Sequence, residues 1–208
     1  MDKVINSYDH IASIYDRLGK LVFGGSLIKP QIEILNSYKG KDILIVGAGT
    51  GNVLKTFEAN QFNSIDLFDI SKPMLNEFND LVISKSSNIN YFLKDGRTGD
   101  LNKHYDLIMF PFFLDHFDEQ EIREILVSYR SEIPTFDDLA IIDFTNPLKF
   151  KHRILAKTML LFFRITTGHT LNRIPDIFRV SDEILKGLKK KDKYYYDSFI
   201  KSSVYSRL

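Results

Sequence analysis

The sequence predicts an α/β fold built on a doubly wound, mostly parallel sheet, and three observations carry that expectation. Short runs of β-branched and aromatic residues alternate, from residue 42 onward, with segments whose apolar residues recur at helical spacing. A glycine-rich turn, GAGTG at 47–51, follows the first of those runs directly. Acidic residues stand at or just past the ends of the next two, Asp69 and Asp95. Repeated strand-then-helix units close into a parallel sheet covered on both faces.

Taken in order, residues 28–39 place Ile28, Ile32, Leu35 and Tyr38 near one helical face, with Gly40 as the stop. ILIV (43–46) reads as a buried parallel strand ending in the glycine turn, and a helix is expected through Val53, Leu54 and Phe57. SIDLFD (64–69) is the second strand. Ser71 then caps a helix with Pro73 in its first turn and Met74, Leu75, Phe78, Leu81 and Val82 facing inward. INYFL (89–93) and DLIMF (106–110) are the third and fourth strands. Asp118 followed by Glu121 forms a capping box ahead of Ile122, Ile125, Leu126 and Tyr129, and LAIIDF (139–144) is the fifth strand.

After Asn146-Pro147 the rhythm breaks. Residues 154–165 are apolar nearly all round but shorter than the roughly 18 residues of a membrane span, so they read as a buried helix or a cap over a pocket. Ser181 opens a short helix. YYYDSFI (194–200) and SVYSR (203–207) read as a closing hairpin turned at Lys201 and Ser202. The whole chain, 1–208, is read as one domain: an N-terminal helical segment over 1–39, a core over 40–146, an inserted cap over 147–180, and a last helix with hairpin over 181–208.

Composition narrows the chemistry. The 208 residues contain no cysteine, which removes disulfides, thiolate metal sites and a cysteine nucleophile together. No secretory h-region opens the chain, so a cytoplasmic location is expected. The five histidines show no metal-ligand spacing, and no metal site is expected. The net charge of +1 conceals two parts: residues 1–146 hold 14 Lys+Arg against 22 Asp+Glu, and residues 147–208 hold 14 against 5.

Glycines directly after a strand let the backbone turn tightly and approach a polar ligand without Cβ clashes. Asn52 stands where a dinucleotide fingerprint wants its third glycine, which weakens a nicotinamide-cofactor reading without removing it. Asp69, 18 residues past Gly51, is placed to accept both hydroxyls of a ribose; the alternative is a surface acid capping the next helix. Asp95-Gly96 can read an adenine edge, although an Asp-Gly turn explains the same dipeptide.

The motifs ILIVGAGTGN, DLFDISKPML, KDGRTGD and YDLIMFPFFLDHFDEQE together resemble those of class I S-adenosylmethionine-dependent methyltransferases. YDHIASIYD (8–16) and the stretch from DFTNPLKF to RITTG are most similar to the ubiquinone/menaquinone-biosynthesis type and related small-molecule enzymes. The resemblance implies a seven-stranded Rossmann-like sheet with N-terminal helices and an inserted helical cap. It implies that Gly47, Ala48, Gly49 and Gly51 wrap the methionine part and ribose of S-adenosylmethionine, with Thr50 donating a hydrogen bond. Asp69 would hold the ribose, Ile70 pack on the adenine, and Asp95 and Gly96 read its edge. Phe110 would offer its backbone carbonyl to the cofactor's amino group, and Tyr15 would close over the cofactor. S-adenosylhomocysteine would be the product. Pro111-Phe112-Phe113 is bulkier than is usual for the family there and favours an apolar acceptor pocket.

Methyl transfer is an in-line displacement that rests largely on positioning, and a base is needed only when the acceptor must lose a proton. His116 is the candidate base, with helix-start packing as its alternative role. Phe112, Phe162, Phe163 and His169 are candidates for the substrate pocket. The expected acceptor is a small aromatic or lipophilic molecule. Lys149, Lys151, Arg153, Lys157 and Arg164 beside the apolar segment could meet an anionic head group or a membrane surface. Two further readings stay open. The lysines near Tyr194–Tyr196 allow a nucleic-acid methyltransferase, although no nucleic acid is the expected partner, and intact cofactor motifs also suit a non-catalytic binding or scaffold protein.

Overall fold

Strand β1 (Asp42–Val46) lies in the middle of a seven-stranded sheet, between β2 (Ser64–Asp69) and β4 (Tyr105–Pro111). This computed structural model describes residues 23–58, 60–74, 88–132, 135–147, 149–167 and 171–207. The remaining strands are β3 (Ile89–Leu93), β5 (Phe136–Phe144), β6 (Lys189–Tyr195) and β7 (Ile200–Ser206), and the order across the sheet is β3-β2-β1-β4-β5-β7-β6. The strands from β1 to β5 pair in parallel; β7 runs antiparallel between β5 and β6. The chain winds outward from β1 on one side and from β4 on the other. The carboxyl ends of β1 and β4 therefore flank the crevice where open α/β sheets bind ligands.

Side chains alternate along each strand, so the sheet feeds two cores. Ile43 and Ile45 enter one with Leu35 of α1 (Ile28–Leu35) and Ala156 of α3 (Phe150–Thr167). Leu44 and Val46 enter the other with Ile122, Leu126 and Tyr129 of α2 (Glu119–Ser131) and Ile177 and Phe178 of α4 (Ile177–Ile184). The start of α2 is the expected capping box: Asp118 accepts from the Gln120 and Glu121 amides, and Glu121 accepts the Asp118 amide.

Several local expectations change. Residues 52–56 form a 3-10 turn rather than an α-helix. Strands β4 and β5 begin earlier than their apolar runs. Tyr105 is buried with its hydroxyl donating to Asp66 Oδ2 at 2.8 Å, and Asp138 accepts the Tyr38 hydroxyl, so polar groups at the strand starts find partners. Helix α4 begins at Ile177, not Ser181; Ser181 is buried inside it and donates back to the Ile177 carbonyl at 2.7 Å. Ser71 Oγ accepts the Met74 amide at 3.5 Å, while Leu75, Phe78, Leu81 and Val82 lie outside the described residues.

The closing hairpin also differs. Its turn is Tyr196–Phe199, with Tyr196, Asp197 and Ser198 all at positive φ, and Tyr195 pairs with Ile200. Lys201 and Ser202 belong to β7 and are buried; Lys201 Nζ lies 3.1 Å from Asp192 and over the Phe178 ring. Asp and Ser tolerate the left-handed region, and Thr145 anchors the turn through the Ser198 and Phe199 carbonyls at 2.6 and 2.9 Å. The lysine run 189–193 is the edge strand β6, where charge guards an unpaired hydrogen-bonding edge. Lys190 and Lys193 are held there by Asp182 and Glu33 at 2.6 Å each.

Candidate functional site

The turn after β1 takes its shape from glycine. Gly47, Gly49 and Gly51 have φ of 71°, 56° and 65°, the left-handed region that costs an L-residue about 1–2 kcal/mol. The Gly47 and Ala48 amides both donate to the Phe68 carbonyl, at 2.8 and 3.2 Å, which ties the turn to the end of β2. Thr50 is buried within it. A Cβ on Gly49 would meet no atom within 4 Å, so open space adjoins the turn at that point.

Asp69 closes β2 beside this turn. Its Oδ2 accepts the Gly49 amide at 2.8 Å and its Oδ1 the Ser71 amide at 2.9 Å. Burial pushes its carboxyl above the ordinary range, opposed by these backbone donors and by the nearby His116. Each oxygen keeps a further lone pair, so a fixed carboxylate can still accept two ligand hydroxyls. Ile70 follows, half-buried. The free acceptor positions of Asp69 and the space beside Gly49 fit the ribose end of S-adenosylmethionine, whose hydroxyls would donate.

Past β3, Asp95 is gripped by Arg97, whose Nε lies 3.0 and 2.9 Å from the two carboxylate oxygens and Nη2 2.6 Å from Oδ2. Burial works against the charged form, but Arg97 outweighs it and holds the carboxyl below the usual range. Asp95 is thus held by a residue the motif reading did not consider. Gly96 is pinned by the Tyr129 hydroxyl, which donates to its carbonyl at 3.0 Å.

The sequence reading also missed Phe113. A Cβ on Gly47 would sit 2.4 Å from Phe113 Cδ2, and one on Gly96 would sit 2.3 Å from Val46 Cγ1 and 3.3 Å from Phe113 Cζ. The Phe113 ring therefore spans the turns after β1 and β3, backed by Phe110 and Phe117 at centroid distances of 5.9 and 5.0 Å. Its signal was the unusual bulk after Phe110, which pointed to an apolar pocket without saying which turn the ring would cover. Gly47→Ala should lower stability by on the order of 2 kcal/mol, by combining a strained φ with displacement of Phe113. Thermal unfolding of Gly47→Ala, Phe113→Ala and the double variant checks this: the clash share should vanish in the double variant, and strict additivity would refute the contact.

Phe110 is fully buried in β4 and stacks edge-on against Tyr129 at 4.8 Å. Pairing of β4 with β1 ends at Met109, whereas pairing with β5 continues to Pro111, so Phe110 lies past the last β1 partner. The chain then turns sharply at Phe112, with φ of 50°, into a 3-10 turn over Leu114–His116. Asp143, at the end of β5, holds that turn: its Oδ2 accepts the Leu114 and Asp115 amides at 3.1 and 3.3 Å, and its Oδ1 the Phe144 amide at 2.8 Å. Burial first, and then the Asp115 charge, push the Asp143 carboxyl well up. His116 Nε2 lies 3.7 Å from Asp115 Oδ1, and the imidazole is close enough to favour the charged form of Asp69. Asp115 and His116 thus face each other although they are neighbours in sequence.

On the other side of this edge, Phe112 leans on Phe144 at 5.1 Å, and Phe144 contacts Phe23 and Phe199 at 5.4 and 5.2 Å. His152 stacks on Phe199 at 4.9 Å and 16°. The structure brings Gly47–Gly51, Asp69 and His116 together and sets Phe112 on this aromatic wall. Tyr15 and His169 lie outside the described residues. Phe162 and Phe163 are in α3, and their side chains lie outside them too. Among the described residues no cluster of three metal-ligating side chains occurs.

Residues 44–131 match the family Methyltransf_12, described as a methyltransferase domain. A search of curated protein sequences finds no match. Among solved structures, the N-methyltransferase NodS from Bradyrhizobium japonicum WM9, in complex with S-adenosylhomocysteine, superposes with a TM-score of 0.73 at 13% identity over 99% of this chain and 98% of its own. A complex of DhpI with S-adenosylhomocysteine gives 0.70 at 16% identity, over 99% and 96%. Magnesium protoporphyrin IX methyltransferase (ChlM) from Synechocystis PCC 6803 gives 0.67 at 15% identity, covering the whole of both chains.

Proposed function

We propose that this chain transfers the methyl group of S-adenosylmethionine to a small aromatic or lipophilic acceptor, a reading supported by the match of residues 44–131 to a methyltransferase-domain family and by the fold shared with solved methyltransferases. The observation that carries the reading is the junction of β1 and β2. There a half-buried carboxylate, Asp69, is fixed by two backbone amides next to a glycine turn with open space beside Gly49. Gly47, Ala48, Thr50 and Gly51 shape the cradle, Asp69 takes the ribose hydroxyls, and Ile70, Asp95, Gly96 and Phe113 enclose the adenine. Phe110 supplies a carbonyl at the β4 end, and Tyr15 belongs to the N-terminal segment assigned to cover the cofactor.

When bound, the cofactor supplies a sulfonium-activated methyl group, open to in-line displacement. The protein's own part is largely positioning, since holding donor and acceptor in line removes most of the entropic barrier. For a hydroxyl acceptor, the His116 imidazole would take the acceptor proton through the ring nitrogen that does not face Asp115. Asp115 steadies the imidazolium. Phe112, half-buried past the end of β4 and backed by the buried Phe144, favours a flat or apolar acceptor over a strongly hydrated one. Phe162, Phe163 and His169 of the inserted segment are the sequence's candidates for further acceptor contacts.

Calorimetric titration with S-adenosylhomocysteine tests the cofactor assignment: saturable binding is expected, and binding of a nicotinamide dinucleotide in its place would overturn it. His116→Ala should lower kcat at least about a hundredfold on a hydroxyl acceptor while S-adenosylhomocysteine affinity holds. An unchanged kcat would reduce His116 to a packing role.

A further inference from the structure

Among its described side chains, helix α3 (Phe150–Thr167) packs on the sheet through one face. His152 and Ala156 are buried there, with Leu155 and Met159 against the same core. The opposite face does not have the polar surface expected of a helix laid on a core. Phe150, Ile154, Lys157, Leu161 and Arg164 follow one another at steps of four, three, four and three residues, which sets them in a single stripe along the helix. The apolar members of that stripe are 76%, 52% and 57% exposed for Phe150, Ile154 and Leu161. Among the described residues, neither apolar core includes them.

The charge on this helix has one sign. From Phe150 to Thr167 there is no Asp or Glu, whereas Lys151, Arg153, Lys157 and Arg164 lie within it and Lys149 just precedes it. Asp197 holds Lys149 and Lys151 at 3.2 and 2.6 Å, at the end nearest the hairpin turn. Among the described residues, no carboxylate pairs with Lys157 or Arg164, which belong to the stripe itself. Beside the stripe runs a groove of about 450 Å³ between α3 and residues 172–174, whose lining mixes Phe150, Ile154 and Leu160 with Arg153, Lys157 and Arg173. No helix among the described residues is long and apolar enough to cross a membrane.

An exposed apolar stripe interleaved with unopposed cations matches an interface in which apolar groups enter an acyl layer while cations stay among negative head groups. A second copy packed stripe to stripe would bring the same positive charge to meet this one, so like charges oppose that pairing. The geometry points to α3 as an interfacial helix that seats the protein on an anionic membrane surface. Its first turns adjoin the carboxyl edge of the sheet: His152 stacks on Phe199, and Phe199 contacts Phe144 of the aromatic wall. The seated helix would therefore place the acceptor side of the site near the lipid. That last consequence rests on the methyltransferase reading, whereas membrane binding itself does not.

The test uses the full chain and two kinds of vesicle, phosphatidylcholine alone and phosphatidylcholine with phosphatidylserine, read by co-sedimentation at low and high salt. Binding to the serine-lipid vesicles is expected, weakened by salt and weak on phosphatidylcholine alone. Lys157→Glu with Arg164→Glu should weaken it on the order of twentyfold or more, from roughly fivefold per cation removed. Phe150→Ser with Ile154→Ser and Leu161→Ser should abolish it, and because these side chains face outward the thermal midpoint should hold. Equal binding by wild type and both variants, or concentration-dependent dimers in place of vesicle binding, would overturn the proposal. S-adenosylhomocysteine titration of the same variants separates the two readings: retained cofactor affinity with lost vesicle binding is expected. Vesicle binding without any cofactor affinity would leave the membrane assignment standing and sink the catalytic one.

Discussion

Asp69→Ala is expected to raise the dissociation constant for S-adenosylhomocysteine at least about a hundredfold. Two hydrogen bonds from ribose hydroxyls to a carboxylate contribute about 1.5–3 kcal/mol each, and about 2.7 kcal/mol already corresponds to that factor. The substitution also strips the Gly49 and Ser71 amides of their acceptor, so the cradle loses its anchor as well as its ligand contact. Asp69→Asn should fall between, because it keeps one acceptor oxygen but turns an amide donor toward a backbone N–H. Burial raises the Asp69 carboxyl, so its proton is taken up above the ordinary range. Cofactor affinity should therefore fall as pH is lowered through that raised value. Calorimetric titration across pH measures both effects, and wild-type affinity in Asp69→Ala would remove Asp69 from the site.

The second large effect belongs to Asp143, which touches no expected ligand. Its carboxylate accepts three backbone amides, from Leu114, Asp115 and Phe144, and is fully enclosed. Asp143→Ala orphans those donors at about 1–3 kcal/mol each, partly offset by removal of a buried charge. A net loss of about 3 kcal/mol is expected, a large share of the roughly 5–15 kcal/mol that holds a domain folded. Asp143→Asn keeps an acceptor oxygen and should lose only about 1 kcal/mol. The folded protein holds the Asp143 proton more tightly than the unfolded chain, because burial and then Asp115 raise the carboxyl. This group's contribution is thus full below the ordinary aspartate range and is lost as pH rises through the raised folded value. Denaturant unfolding over that range should show the slope in wild type and its absence in Asp143→Asn. A slope shared by both would assign the proton elsewhere.

Much of the core was legible because its signals are local. The strand Ser64–Asp69 and the strand Ile89–Leu93 lie where their runs of residues placed them, and the Asp118–Glu121 box caps the helix it was expected to cap. The glycine turn was legible for the same reason: positive φ at Gly47, Gly49 and Gly51 is a property of the backbone, and only glycine enters it freely. The hairpin was not. Tyr194 to Ile200 is rich in strand formers and reads as continuous, but Tyr196, Asp197 and Ser198 turn because Thr145, 53 residues before Ser198, supplies partners for the turn carbonyls. Lys201 looked like a turn residue until Asp192 and the Phe178 ring made burial of its charge tolerable. Asp143 read as one more acid in a strand, and nothing in its neighbourhood announced the three amides it collects.

By itself, then, the sequence determined the sheet's strand–helix rhythm, the glycine turn and the acid that faces it, because propensity, spacing and backbone freedom act within a few residues. Tertiary structure alone decided that Phe113 would cover the turns after β1 and β3, and that α3 would bury one face and leave Phe150, Ile154 and Leu161 outside. Those outcomes depend on which surfaces meet once the sheet has closed. Contact energy between residues distant in the chain has no local signature, so only the packed molecule could settle it.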